Sequence, residues 1–140
     1  MLVFKIYLAG GMQNLSFNEQ YGWRNQVINS LNRIDDNLKR LKFINPVDYY
    51  NFTEVNYKSE REVMDFDLYH VRDSDLIIVN FNDPKSIGTA MELMLAREMK
   101  IPVIGLNEKN NELHPWLKEC CTRICDTFEE LVWYFENYFN

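Results

Sequence analysis

The sequence predicts an α/β sandwich: a five-stranded parallel sheet with helices on both faces, in one domain over residues 1–140. Three observations predict it. Apolar runs without alternation, seen best at Leu76-Ile77-Ile78-Val79, suit strands buried on both faces. Between them lie stretches whose apolar residues recur every three or four positions, the spacing of a helix face. The two kinds of segment take turns along the whole chain, which calls for parallel strands joined by crossover helices.

The first strand is expected over residues 4–9. Gly10-Gly11 ends it, a pair that lets the backbone turn sharply and approach a ligand. Met12 continues the loop, and Ser16 is placed to cap a helix. The helical pattern runs over residues 17–40 through Trp23, Val27, Leu31, Ile34 and Leu38, with Gly22 and Asp35-Asp36 as points of kink or break. Phe43-Ile44 marks a short second strand starting near Leu41 and stopped by Asn45-Pro46. Residues 47–57 have no period and carry Tyr49, Tyr50 and Tyr57, so they read as a loop at the edge that holds Gly10-Gly11. Ser59 with Glu62 has the spacing of a capping box. It opens a helix to about Arg72 that turns Val63, Met64, Leu68 and Val71 to the core.

The third strand covers residues 76–80. After it comes Ser86-Ile87-Gly88-Thr89-Ala90-Met91-Glu92, opening a helix that continues to Met99, with Ile87, Ala90, Met91, Met94 and Leu95 as its expected core face. A fourth strand over 102–106, a polar loop over 107–111, a short helix beginning over 113–117 and a fifth strand over 122–125 follow. Thr127 and Glu130 form a second capping-box pair, and the last helix docks Leu131, Val132, Phe135 and Phe139 on the sheet. Five strands joined in this way suggest the flavodoxin-like order 2-1-3-4-5, a three-layer sandwich with its switch point between strands one and three. Ligands of open α/β sheets bind at such a point, outside the carboxyl ends of the strands. Residues 7–12 and 86–92 are therefore expected on opposite walls of one crevice.

Composition narrows the partners. The net charge is −6 and no Lys/Arg stripe forms, which argues against polymeric nucleic acid and anionic membranes. A single mononucleotide, whose phosphate needs only a few local donors, stays open. No stretch has the length of a membrane span, and the apolar start lacks a basic leader, so it reads as a strand rather than a signal peptide. Cys120, Cys121 and Cys125 are odd in number and form no CxxC pair, so neither a disulfide framework nor a zinc site is expected, and a reducing cytoplasm is the simplest setting. No Gly-x-Gly-x-x-Gly follows the first strand and no P-loop is present, so dinucleotide oxidoreduction and NTP hydrolysis lose support. Response-regulator chemistry would need acids where Ala9-Gly10 stand. No cofactor and no metal are expected.

Within the crevice Glu92 comes first. Its helical neighbours Gly88 and Ala96 are small and leave room for something other than side chains. A solvated surface glutamate is the commoner explanation, and the glycine turn and switch-point position speak for function. Ser86 is a natural cap, and its hydroxyl with the free N–H groups of Ile87, Gly88 and Thr89 suits a phosphate or a sugar oxygen. Asp67 lies one helical turn from Val63 and Val71, an unusual place for an aspartate. It is either a boundary residue or an acid that protonates a leaving group, and Asp65, Asp73 and Asp75 compete with it. Tyr7, near the end of the first strand, is either a core aromatic or a hydroxyl that orients Glu92. His114 and Trp116 are weaker signals, since a tryptophan there is more often packing. His70 has no assigned role.

The segments Lys5-Ile6-Tyr7-Leu8-Ala9-Gly10-Gly11-Met12, then Asp67 with Asp75, then Ser86-x-Gly88-Thr89-x-x-Glu92, resemble the nucleoside 2-deoxyribosyltransferase family and the related deoxynucleoside 5′-monophosphate N-glycosidases. The resemblance covers most of the chain. It implies a flavodoxin-like fold and double displacement at the sugar C1′. Glu92 would be the nucleophile forming a glycosyl-enzyme ester, Asp67 the acid that protonates the leaving base, and Tyr7 the residue that holds the nucleophile. Gly10, Gly11, Met12, Ser86 and Gly88 would line the substrate. The resemblance also implies a homodimer or larger assembly in which residues 114–116, with His114 and Trp116, complete a neighbour's site.

Two departures bear on substrate. Transferases of this family have an aspartate where this chain has Ser86, and a serine there resembles the monophosphate glycosidases. Those often carry an arginine in the first loop, where this chain has Gln13, with Arg24 as a possible substitute. Free nucleoside or 5′-monophosphate, transfer or hydrolysis, and purine or pyrimidine therefore stay open. The alternatives to an N-deoxyribosyl enzyme are a non-catalytic nucleotide-binding module on the same fold and a nucleoside-monophosphate phosphoribohydrolase, in which a Gly-Thr-x-x-Glu string also occurs.

Overall fold

The computed structural model describes residues 2–12, 15–33, 39–49 and 58–139. Its elements are β1 (Leu2–Gly10), α1 (Phe17–Asn32), β2 (Lys39–Ile44), a 3-10 turn (Pro46–Asp48), α2 (Glu60–Arg72), β3 (Leu76–Asn80), α3 (Ile87–Glu98), β4 (Val103–Leu106), α4 (Pro115–Glu119), β5 (Arg123–Cys125) and α5 (Phe128–Tyr138). The strands form one sheet in the order β2-β1-β3-β4-β5, and every pairing is parallel. This is the expected topology. β1 and β3 end together at the pair Gly10 and Asn80, so the switch point lies where the sequence put it.

The central strands alternate their side chains between two cores. Ile6, Leu8 and Ile78 pack against Trp23, Val27 and Leu31 of α1 and Leu131 and Phe135 of α5. Tyr7, Ala9, Ile77 and Val79 pack against Val71 of α2, Leu93 and Ala96 of α3 and Leu117 of α4. Each central strand is therefore covered on both faces, as its continuous apolar run requires. No helix among the described residues is long and apolar enough to cross a membrane.

Caps set most helix starts. Ser16 and Glu19 form a complete capping box on α1. At α2 the Ser59 hydroxyl accepts from Glu62 N, but the Glu62 carboxylate turns to Lys58 N instead of closing the box. Thr127 caps α5, and the Glu130 carboxylate reaches Asp126 N and Arg123.

Two expectations need correction. The first helix does not run to residue 40: α1 stops at Asn32, and Lys39 and Arg40 belong to β2, where they pair with Leu2 and Val3. Lysine and arginine are good helix formers, and tertiary pairing overrides that preference. Ile34, Asp35, Asp36, Leu38 and Tyr57 lie outside the described residues. The core face of α3 is also different. Thr89, Leu93 and Ala96 are buried, while Ile87, Met91 and Met94 are 77%, 51% and 44% exposed. Small side chains at Thr89 and Ala96 let the helix lie close on the sheet, and the longer Met and Ile side chains are turned out. Met64 of α2 is likewise exposed.

Candidate active site

The central group is built on four elements: Tyr7 of β1, Arg24 of α1, Asp67 of α2 and Glu92 of α3. Tyr7 follows Ile6 in an alternating strand, so its ring passes to the α2/α3 side, where it is 1% exposed. Its hydroxyl and the Glu92 carboxyl are near enough that each acts on the other's ionisation. Burial pushes the Tyr7 phenol well above its usual range, and the charges of Glu92 and Asp67 push it further. The hydroxyl thus keeps its proton at ordinary pH.

Glu92 stands one turn beyond Gly88. The residue is partly exposed, yet its Oε2 is sealed from solvent and has no hydrogen-bond partner among the described residues. Burial of the carboxyl raises its pKa to about 8; the Tyr7 hydroxyl and the Arg24 charge pull it down, and the Asp67 charge pushes it up. Buried carboxyl oxygens are normally paired, so an unpaired one needs a reason.

The competing aspartates separate clearly. Asp73 pairs with Lys5 Nζ at 2.7 Å, and Asp75 accepts from Lys5 N at 2.8 Å; both lie just before β3, away from the carboxyl edge of the sheet. Asp65 faces Arg61 across 3.9 Å on the exposed side of α2. Asp67 is half-buried, and its charge is felt at Tyr7, Arg24 and Glu92.

Ser86 caps α3, and its Oγ accepts from Thr89 N at 3.3 Å and from Thr89 Oγ1 at 2.9 Å. Its own proton remains available to an incoming oxygen. A Cβ on Gly88 would meet nothing within 4 Å, so the start of α3 is open.

The glycine pair is required by its protein neighbours. Both are buried, and neither has a positive φ. A Cβ on Gly11 would fall 2.7 Å from Asp83 Cβ, and one on Gly10 would fall 3.0 Å from Trp23 Cζ2. Their missing side chains make room for α1 and for the loop after β3. The Met12 carbonyl accepts from Gln20 Nε2, which ties the loop after β1 to α1. His114 caps α4 through Nδ1, and Trp116 is 77% exposed. Their ring contact is with each other, 6.2 Å between centroids, rather than with the Tyr7–Glu92 group.

Arg24 is the residue that sequence reasoning misjudged. It is 0% exposed, and its donors reach the Leu8, Gln20 and Gly10 carbonyls at 3.2, 2.6 and 3.2 Å. So held, it has no reach to a phosphate in the crevice. The signal was present: Gln20, Arg24, Val27 and Leu31 lie on one helical stripe, and all four are buried. Gln13 lies outside the described residues. Among the described residues, no group of three or more His, Cys, Asp or Glu could hold a metal.

No family model matches the chain, and no curated protein matches it. Solved structures do. A 2-deoxyribosyltransferase from Bacillus psychrosaccharolyticus superposes with a TM-score of 0.70 at 20% identity, over 96% of this chain and 91% of that one. A 2-deoxyribosyltransferase from Leishmania mexicana gives 0.61 at 19% identity, over 98% and 99%. The CMP N-glycosidase BcmB of Clostridium botulinum gives 0.58 at 19% identity, over 96% and 99%. The resemblance carried in the sequence by Tyr7, Asp67, Ser86, Gly88 and Glu92 is thus accompanied by a common fold over nearly the whole chain.

Proposed function

We propose that this chain cleaves the N-glycosidic bond of a 2′-deoxynucleoside or its 5′-monophosphate and passes the sugar to another base or to water. The observation that carries the reading is Glu92 Oε2, a buried carboxyl oxygen without a partner among the described residues, on a residue whose ionisation Tyr7 and Asp67 both affect. The fold shared with two 2-deoxyribosyltransferases and a CMP N-glycosidase supports it.

The chemistry needs two carboxyl groups. Ionised Glu92 attacks C1′. The C1′–N bond breaks, its electron pair goes to the base, and protonated Asp67 supplies the proton. In the second half an acceptor nitrogen or water attacks C1′, Glu92 leaves as carboxylate, and Asp67 takes the proton back. Tyr7 steadies the Glu92 carboxylate throughout. The charges of Glu92 and Asp67 oppose each other, and the reactive form has the proton on Asp67 and the charge on Glu92. Because Oε2 is sealed in the free protein, a sugar reaches it only after displacing what covers it. Ser86 and the open start of α3 are the places for the sugar's 5′ end.

The active assembly in this reading is a homodimer or larger, with His114 and Trp116 of a neighbour at the base. The exposure of Trp116 and of Ile87, Met91 and Met94 along one stripe of α3 supports it.

The test is incubation with deoxynucleosides and their monophosphates, with and without an acceptor base. Base release that is lost in Glu92→Ala is the expected result; release that survives the substitution, or none from any substrate, sinks the reading. New nucleoside means transfer, and free deoxyribose or its 5-phosphate means hydrolysis. The second reading, a nucleotide-binding module, draws on the sealed Oε2, and ligand-dependent melting without base release would favour it.

A further inference from the structure

We propose that the His70 imidazole is a pH-sensitive latch: in its neutral form it holds Tyr49, at the end of the turn after β2, against α2, and its protonation releases that contact. Nothing in this depends on the reaction at Glu92.

Local structure fixes the parts. Asn45 caps the 3-10 turn, its Oδ1 accepting from Val47 N, and Pro46 and Val47 are buried. The Tyr49 N–H donates to the Pro46 carbonyl, so the ring starts from a set position. On α2, Phe66 and His70 are four residues apart and share a face. The Tyr49 ring stacks on the imidazole, with 5.5 Å between centroids and 14° between planes. Phe66 meets the imidazole at 4.4 Å and Tyr49 at 5.2 Å, both edge to face, and Tyr69 lies 5.3 Å from the imidazole. Tyr49, Phe66 and Tyr69 are 44%, 38% and 59% exposed, so the imidazole is the centre of the cluster and the three rings are its cover. His70 Nε2 is sealed beneath them and has no hydrogen-bond partner among the described residues.

The neutral ring suits this place. It can carry its one proton on Nδ1 and leave Nε2 as a lone pair. The imidazolium carries an N–H at both nitrogens, and would bury one of them, charged, with no acceptor. The groups around it pull both ways. The carboxyl end of α2 and Asp73 favour the proton, while Lys42 of β2 and Lys5 of β1 oppose it. Asp73 is already engaged with Lys5 Nζ at 2.7 Å, so the pair is close to neutral as seen from His70. Burial therefore wins and holds the imidazole below its ordinary value of 6.5. The sign follows: the neutral ring's contribution to docking is complete above 6.5 and is lost as pH falls toward the docked midpoint. Within that window the ratio of docked to released Tyr49 drops about tenfold per pH unit. What loosens is the join between the turn after β2 and the helix that carries Asp67, three residues before His70.

The experiment follows the two histidines, His70 and His114, through pH by proton NMR, assigned with His114→Gln. In wild type the His70 midpoint lies below 6.5, and in Tyr49→Ala, which removes the stacked ring, it rises toward 6.5. Tyr49 belongs to neither core, so this variant keeps the fold. Linkage requires the converse as well. Cross-peaks between the Tyr49 and Phe66 rings weaken as wild type passes through the His70 titration, and they hold their strength in His70→Phe. A wild-type midpoint above 6.5, or one that falls in Tyr49→Ala, would mean that the rings hold the cation, and it overturns the proposal. A midpoint equal in both proteins overturns it too, as do cross-peaks that stay constant in wild type or fade equally in His70→Phe. If His70→Phe does not fold, the wild-type and Tyr49→Ala titrations decide. None of these readings needs turnover, so a failure of the proposed reaction leaves them intact.

Discussion

At the scale of single residues, the cost of a buried carboxyl can be read in stability. Glu92 has an ordinary value of 4.5 when unfolded and about 8 when folded. Between these, the unfolded chain releases its proton and the folded chain keeps it, so the unfolded state binds fewer protons and this group's contribution to stability falls as pH rises. Below 4.5 it contributes no pH dependence, and above about 8 the loss is complete. Glu92→Gln cannot ionise and escapes the loss. Thermal melts across that window should show the variant's advantage over wild type growing with pH, to the order of a few kcal/mol, while base release disappears. An advantage that is constant with pH would mean that the carboxyl is not desolvated. Asp67→Asn removes the neighbouring negative charge and should move the Glu92 midpoint downward. Tyr7, Asp67 and Glu92 could be singled out in the sequence because the alternation of strands and helices locates the elements that carry them, β1, α2 and α3. Arg24 was not, because the default for arginine is exposure, and only its place on the stripe of Val27 and Leu31 pointed inward.

At the scale of one element, α3 separates stability from binding. Gly88 sits in its first turn with open space where a Cβ would go. Gly88→Ala should raise stability by about 0.5–1 kcal/mol, because alanine loses less freedom in a helix. If the sugar or its phosphate lies against this turn, KM rises in the same protein; a more stable enzyme with unchanged KM would put the substrate elsewhere. Ser86→Ala instead removes the cap and costs about 1 kcal/mol. The face of this helix was the part of the fold least legible in the sequence. Leu93 and Leu95 point inward, and Ile87, Met91 and Met94 outward, although all are apolar. A pattern that is apolar nearly all round gives periodicity nothing to choose between, and the sheet selects the stripe with Thr89 and Ala96. The start of β2 was hidden for a related reason. Lys39 and Arg40 carry no strand signal of their own and are strand only because Leu2 and Val3 pair with them. Strand order, by contrast, follows from the alternation of element types, which single misplaced boundaries leave unchanged.

At the scale of the whole molecule, the outward stripe of α3 gains a consequence. Ile87, Met91 and Met94, together with Met64 and Phe66 of α2, put apolar surface beside the helix that carries Glu92. Water contact with such surface is unfavourable by roughly 25 cal/mol per Å², and a second copy is the occupant that the proposed assembly names. Sedimentation should therefore give a dimer or larger species, and Met91→Asp should shift it toward monomer while leaving the fold intact, since this side chain contributes nothing to either core. The stronger test uses Trp116. It is 77% exposed within one chain, so Trp116→Ala should leave thermal stability nearly unchanged. If its indole completes a neighbour's site, the same substitution lowers kcat/KM, and mixing it with inactive Glu92→Ala under conditions of subunit exchange restores base release. In the mixed assembly one site receives an intact Glu92 from one chain and an intact Trp116 from the other. Failure to restore activity, with exchange verified independently, would make each site the property of a single chain and leave the α3 stripe as a contact surface without a part in the chemistry.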